Sequence, residues 1–296
     1  MPVEIERLRR HVSHLAATPR PSGSQVLATL REDVAGVLRE SGWIVEFVPF
    51  VVPDSAGAEF QGVNLIAQHG QHRWTGRPRF CLGAHLDSRA ETPGADDNAS
   101  AVAALLEIAR LLPERWPGEA PLELELAAFD LEECGMLGGA DRARACREQQ
   151  IDLRGMVSLE MLGYSNDAPG SQKLPELLRG IYPDVGNFIA AIGNQNSSLL
   201  LSRFRSGLSS IPGLPVETLS VPDNGNPLQA SRLSDHSPFW DAGFPALMIT
   251  DTAFLRNPHY HQATDTVETL NFEFLRKVTE GCLSAVIELL QNGLSR

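Results

Sequence analysis

The chain has 296 residues, 43% of them hydrophobic, enough to fill the core of one large α/β domain or two small ones. Its 25 Lys and Arg against 37 Asp and Glu give a formal charge of −12, which argues against a phosphate-backbone partner, since such binding relies on basic clusters. No window of about 18 apolar residues exists to cross a membrane, and the cysteines Cys81, Cys134, Cys146 and Cys282 stand singly, without a C-x-x-C pair, as suits reduced thiols in a cytosol.

The start, MPVEIERLRRHVSHL, is charged and amphipathic and lacks the basic-then-apolar plan of a secretory signal, so a cytoplasmic location is expected. Helical periodicity runs over 3–16 and 24–41. Strand-like runs follow at WIVEFVPFVV (43–52), VNLIAQ (63–68) and RFCLGAH (79–85). After PGADDNAS (93–100), the spacing in NASAVAALLEIARLL predicts a helix over 98–112. Then come a strand at LELELAAF (122–129), a helix at 136–149 and strands at MVSLEML (156–162) and NFIAAIG (187–193). SSLLLSRF (197–204) reads as a helix, VETLSV (216–221) and ALMIT (246–250) as strands, and 271–293 as a closing helix. About eight strands interleaved with helices predict an α/β fold of three layers, α/β/α, around a central, mostly parallel, mixed sheet. No internal repeat or low-complexity stretch marks a boundary, so residues 1–296 read as one domain.

In such sheets ligands gather beyond the carboxyl ends of the strands, and several of those ends carry ligand-type residues. RFCLGAHLDS ends in His85 and Asp87, LELELAAFDLEE in Glu132 and Glu133, and MVSLEML holds Glu160. ALMITD ends in Asp251, and NPHYHQATDTVE adds His259 and His261. Each has an ordinary explanation taken alone: a strand-end histidine is more often structural, Asp96, Asp97 or Asn98 suits a helix cap, and paired glutamates at a loop start are usually solvated. Two histidines and at least three acids at neighbouring strand ends point together to a metal site. Imidazole with carboxylate, and no cysteine required, fits zinc first, with manganese or cobalt as substitutes. The number of acids suggests two ions, about 3.5–4 Å apart in paired sites, and one bridging carboxylate is then almost required.

The stretches HLDS, PGADDNAS, DLEECGMLGG, SLEMLGY, SDHSPFWDAGFPALMITDT and HYHQATDTVETL, in this order and spacing, resemble the co-catalytic zinc aminopeptidase family. That family includes the bacterial leucyl aminopeptidases and, more distantly, glutaminyl cyclases, glutamate carboxypeptidases and the transferrin receptor ectodomain. The resemblance spans roughly residues 80 to 270, and RPSGS (20–24) also resembles the family's N-terminal region. It implies a zinc-exopeptidase-like fold with two Zn²⁺ per chain: His85 and Glu160 on one, Glu133 and His261 on the other, and Asp97 as the bridge. Asp87 matches an acid that orients a neighbouring ligand, and Glu132 matches the general base. Adjacent residues leaving a strand point in different directions, so Glu133 can reach a metal while Glu132 stays free.

Tyr260 matches a position that donates to the tetrahedral oxyanion; packing beside a ligand accounts for it equally well. Arg203 lies where some relatives place a substrate-binding arginine, and a structural role is the reading here. Asp235 and His236 of SDHSPF fall to the pocket wall, and the register of HQATDT favours His261 over His259. Glu160 departs from the aspartate of the bacterial leucyl aminopeptidases by one methylene, near where a substrate ammonium would bind. The expected function is hydrolysis of N-terminal residues from peptides with a free N-terminus and an apolar first residue, with neither nucleic acid nor membrane as partner. The alternatives are a mononuclear zinc acyltransferase like the glutaminyl cyclases and a carboxypeptidase on the same scaffold. A binding module that lost the chemistry predicts missing ligands, whereas all five and the base are present.

Overall fold

The computed structural model describes residues 1–53 and 59–294. Numbered along the chain, its strands form one sheet in the order β1 (Trp43–Pro53), β2 (Glu59–His69), β4 (Glu123–Phe129), β3 (Arg79–His85), β5 (Leu153–Glu160), β8 (Ala246–Thr250), β6 (Ile189–Asn194) and β7 (Val216–Val221). The central block β4-β3-β5-β8 is parallel. Its strands are buried over nearly their whole length, which is why RFCLGAH and ALMIT read as continuous apolar runs rather than alternating ones. The acids inside ELELAAF are paired within the structure: Glu125 accepts from Arg142 Nε at 2.7 Å and Arg79 Nη1 at 3.1 Å.

Antiparallel pairings flank this block, at β1–β2, β2–β4 and β8–β6, while β7 is parallel to β6. The sheet is therefore mixed, with four parallel pairings to three antiparallel ones. β1 alternates in burial as an edge strand with one wet face does.

Period two sorts the strand residues between two helical layers. Phe80, Leu82, Leu124, Leu126, Val157, Leu159, Leu247 and Ile249 face the layer built from α1 (Ile5–Leu15), α2 (Gln25–Glu40), α3 (Ala101–Leu111), α5 (Ser198–Ser209) and α7 (Phe272–Asn292). Cys81, Ala127, Phe129, Met156 and Ala246 face α4 (Leu137–Glu148) and α6 (His236–Asp241). α3 is apolar nearly all round and is packed among the sheet, α1, α2 and α7. Two side-chain caps set helix starts: Ser24 accepts from Leu27 N–H to open α2, and Asn271 from Phe274 N–H to open α7.

α6, six residues long, is too short to carry a helical period and was not among the expected elements. Because β3, β4, β5 and β8 all run the same way, their carboxyl ends open on one edge of the sheet, and the loops leaving them meet there.

Candidate metal centre

Two ligand-type clusters meet at that edge. His85, Asp97 and Glu160 offer atoms within 4.8 Å of one another, and so do Asp97, Glu133 and His261. Asp97 belongs to both: its Oδ1 lies 3.2 Å from His85 Nε2 and its Oδ2 lies 3.1 Å from His261 Nε2. Glu160 Oε2 stands 3.7 Å from His85 Nε2, and Glu133 Oε2 stands 3.3 Å from His261 Nε2. Glu132 points elsewhere from its neighbour Glu133, with Oε2 3.9 Å from His85 Nε2 and membership of neither cluster.

A second layer of hydrogen bonds fixes these groups. Asp87, fully buried, accepts the N–H groups of Glu132 and Glu133 at 3.2 Å each, and His85 Nδ1 donates to the Asp87 carbonyl at 3.1 Å. One aspartate thus sets the loop that carries both glutamates and the ring of the first histidine. Asp265, which the sequence reading left unassigned, accepts the N–H groups of Asp96 and Asp97 at 2.9 and 3.1 Å. Asn98 braces both sides of Glu160, donating to Leu159 O at 3.0 Å and accepting from Met161 N–H at 2.9 Å. Neither Asp96 nor Asp97 caps α3; Asp96 accepts from Gly163 N–H and Asn257 Nδ2 instead. Ser234 Oγ donates to Glu160 Oε2 at 2.8 Å, and because a hydroxyl has one proton, Ser158, 2.8 Å further on, must donate to Ser234. Leu131, Met136, Met161 and His261 all have left-handed backbones, φ 59°, 59°, 47° and 57°. Such strain in non-glycine residues concentrates where surrounding contacts over-determine a site.

The electrostatics call for cations. Burial pushes the carboxyls of Glu160 and Glu133 up and that of Glu132 well up, and neighbouring carboxylates add to the effect. Burial pulls the two imidazoles down, yet the acids outweigh it: His85 rises well above its usual value, and His261 reaches about 9. Burial also opposes ionisation of Asp97, but the two histidines hold its carboxyl below the usual range. Acids and histidines raised together mark a cluster balanced only by protons or bound cations. His85 Nε2 and Glu133 Oε1 are buried without a hydrogen-bond partner. These orphaned ligand atoms and the all-nitrogen-and-oxygen donor set fit zinc.

Beside the centre lies a partly open cleft, with Glu160 and Tyr260 at their common border and apolar walls that include Leu178, Phe188, Leu219 and Met248. Tyr260 stacks on His261 with ring centroids 3.7 Å apart, and burial, aided by nearby carboxylates, pushes its phenol up. Arg203 takes no part: it joins α5 to α7 through Glu288 at 2.7 Å. Arg232 is held by Asn224 O and Asp241. His236 packs edge-on against Trp240 and donates from Nε2 to Ser231 O, its imidazole pushed down to about 3 by burial. Asp235 accepts from Gly139 N–H, and burial first, then Glu160 and Asp87, push its carboxyl up to about 8. His259 contacts Thr264 outside the centre.

The sequence model of peptidase family M28 matches residues 64–286. A relative from Escherichia coli (strain K12), the uncharacterized protein YfbL, is 33% identical over 97% of this chain and 88% of its own length. Leucine aminopeptidase 1 of Fusarium vanettenii is 23% identical over 85% of this chain, which spans only 64% of that protein. Among solved structures, the zinc aminopeptidase BSAP of Bacillus subtilis superposes with a TM-score of 0.75 at 16% identity, covering 98% of this chain and 95% of that one. The glutaminyl cyclase of Porphyromonas gingivalis superposes at 0.72 and 19% identity, covering 96% and 98%. At such identities these likenesses establish the α/β fold of the chain.

Arg20 supports the centre from behind. Fully buried, it donates to the carbonyls of Leu86 (2.7 Å), Pro93 (2.5 Å), Gly94 (2.9 Å) and Leu15 (3.3 Å), tying the end of α1 to the loop that leads to Asp97. An orphaned buried polar group costs about 1–3 kcal/mol. Arg20→Met is therefore expected to lower the stability of metal-free protein in urea unfolding by about 2–5 kcal/mol; a loss under about 1 kcal/mol would contradict this role.

Proposed function

This chain belongs to peptidase family M28 and is by that membership a metallopeptidase; we propose that it removes N-terminal residues from peptides, using two zinc ions and Glu132 as general base. The observation that carries the two-ion reading is Asp97, whose two oxygens each face a different histidine at 3.2 and 3.1 Å. His85 and Glu160 would hold one ion, Glu133 and His261 the other, and Asp97 both. Ions there would supply Lewis acidity at the scissile carbonyl and offset the acidic cluster.

The remaining steps fall to the chain's own residues. Glu132, raised by burial and free of both clusters, takes a proton from the attacking water and hands it to the departing amine. Tyr260, bordering the centre and the cleft, is placed to donate its hydroxyl proton in a hydrogen bond to the carbonyl oxygen as charge develops. Glu160 and Glu132 attract the substrate's α-ammonium. The apolar cleft receives the first side chain, and among the described residues no Lys or Arg lines it, which supports amino-end over carboxyl-end recognition. A mononuclear cyclase-like reaction leaves one of the two clusters without a role.

Two experiments test this reading. Glu132→Gln is expected to keep its metal while kcat falls roughly 10²–10⁴-fold, whereas Glu133→Gln weakens metal binding by about tenfold or more, since even supporting groups cost that much. Metal loss in the first variant with full retention in the second would reverse the assignment. A free hexapeptide with an apolar first residue should be shortened from its N-terminus and its N-acetylated form left intact; release of C-terminal residues from both at equal rates would favour a carboxypeptidase.

A further inference from the structure

The cleft has a second charged end. Its floor is the face of the sheet from β5 to β7, where strand register sets Glu160 beside Thr250, Thr250 beside Ala190, and Ala190 beside Glu217. Residues paired in register share a face, so Glu217 rises from the same floor as Glu160. Three inter-strand steps of about 4.8 Å separate them, roughly 14 Å in all. Between them the floor is Thr250, Ala190, Ile192, Met248 and Leu219, and the cover includes Leu178 and Tyr182. Tyr182 Oη donates to Thr218 O at 2.9 Å and pins the covering segment over the Glu217 end. Burial, and then the Glu217 carboxylate beside it, push the Tyr182 phenol up. Among the described residues, the cleft lining supplies no Lys or Arg to pair with Glu217.

We propose that Glu217 is a specificity-determining residue: it gives the cleft a preference for a first residue with a long aliphatic stem ending in a cation, lysine or arginine, over an uncharged stem of the same length. The proposal rests on the amino-end reading above. The dimensions suit it. With the α-ammonium at Glu160, the six bonds from the α-nitrogen of lysine to Nζ, each advancing about 1.25 Å in an extended chain, cross about 7.5 Å of the floor. Contacts of about 2.7–2.9 Å at each end bring the reach to about 13 Å, against the roughly 14 Å between the two strand positions. The apolar walls receive the methylenes, and Glu217 receives the terminal ammonium or guanidinium in a charge-assisted hydrogen bond.

The test uses the metal-loaded full chain and the p-nitroanilides of L-lysine, L-arginine, L-norleucine and L-leucine. Norleucine keeps the aliphatic stem of lysine and lacks its cation. The expected result is a kcat/KM for lysine or arginine at least about fivefold above norleucine, with that ratio falling about tenfold in Glu217→Gln, the size of one charged hydrogen bond. Glu217→Lys should lower the ratio further still. Wild type that hydrolyses norleucine as well as or better than lysine, or a ratio identical in wild type and Glu217→Gln, would overturn the role of Glu217 and leave the aminopeptidase reading standing. Failure to hydrolyse any of the four substrates would remove that reading, and the proposal with it.

Discussion

One electrostatic constraint governs the carboxyl edge of this sheet. Asp97, Glu132, Glu133 and Glu160 crowd around two histidines in a volume largely closed to water. At separations near 4 Å, each like-charged pair costs on the order of 4 kcal/mol at the effective dielectric of a protein. Such a cluster is balanced only when protons or cations join it. The local architecture places nitrogen and oxygen atoms where cations would sit and holds them there with further buried groups.

The supporting groups are themselves largely acidic and act through backbone N–H groups rather than through more cations. Asp87 organises the Glu132–Glu133 loop and Asp265 the Asp96–Asp97 loop. The one nearby arginine that is fully buried, Arg20, binds carbonyls instead of carboxylates. An ion pair between Arg20 and a ligand acid would compete with metal; carbonyl contacts leave the ligand carboxylates free. The parallel block β4-β3-β5 makes this possible, since three strands ending at one edge deliver His85, the glutamate pair and Glu160 together. The same sheet then extends through β8, β6 and β7 as the floor of the cleft, so ligand positions and substrate contacts share one rigid element.

Much of this was legible in the sequence. All eight strands lie where the apolar runs put them, the central ones because strands buried on both faces cannot hide their composition. The clusters gather residues already singled out, His85 and Glu160 at strand ends and Asp97, Glu133 and His261 in the loops beyond, because their number together, and no one of them alone, pointed to metal. Strand direction was not legible: β6 runs antiparallel to β8, and nothing in NFIAAIG encodes that. Asp265 and Arg20 lay within quoted stretches, but residues that act through backbone groups leave no spacing signature. The cleft was hidden for a different reason. Its walls come from segments scattered between Glu160 and Tyr260, and Glu217 stands in VETLSV as one polar residue of an ordinary edge strand.

Two-ion chemistry requires Asp97 to join two ions, and a metal titration addresses that most directly. Metal-free protein titrated with Zn²⁺, with calorimetric stoichiometry checked by elemental analysis after desalting, should take up two ions per chain. Saturation at one ion per chain, with no second taken up in excess zinc, would contradict the bridging role of Asp97 and the two-ion chemistry built on it.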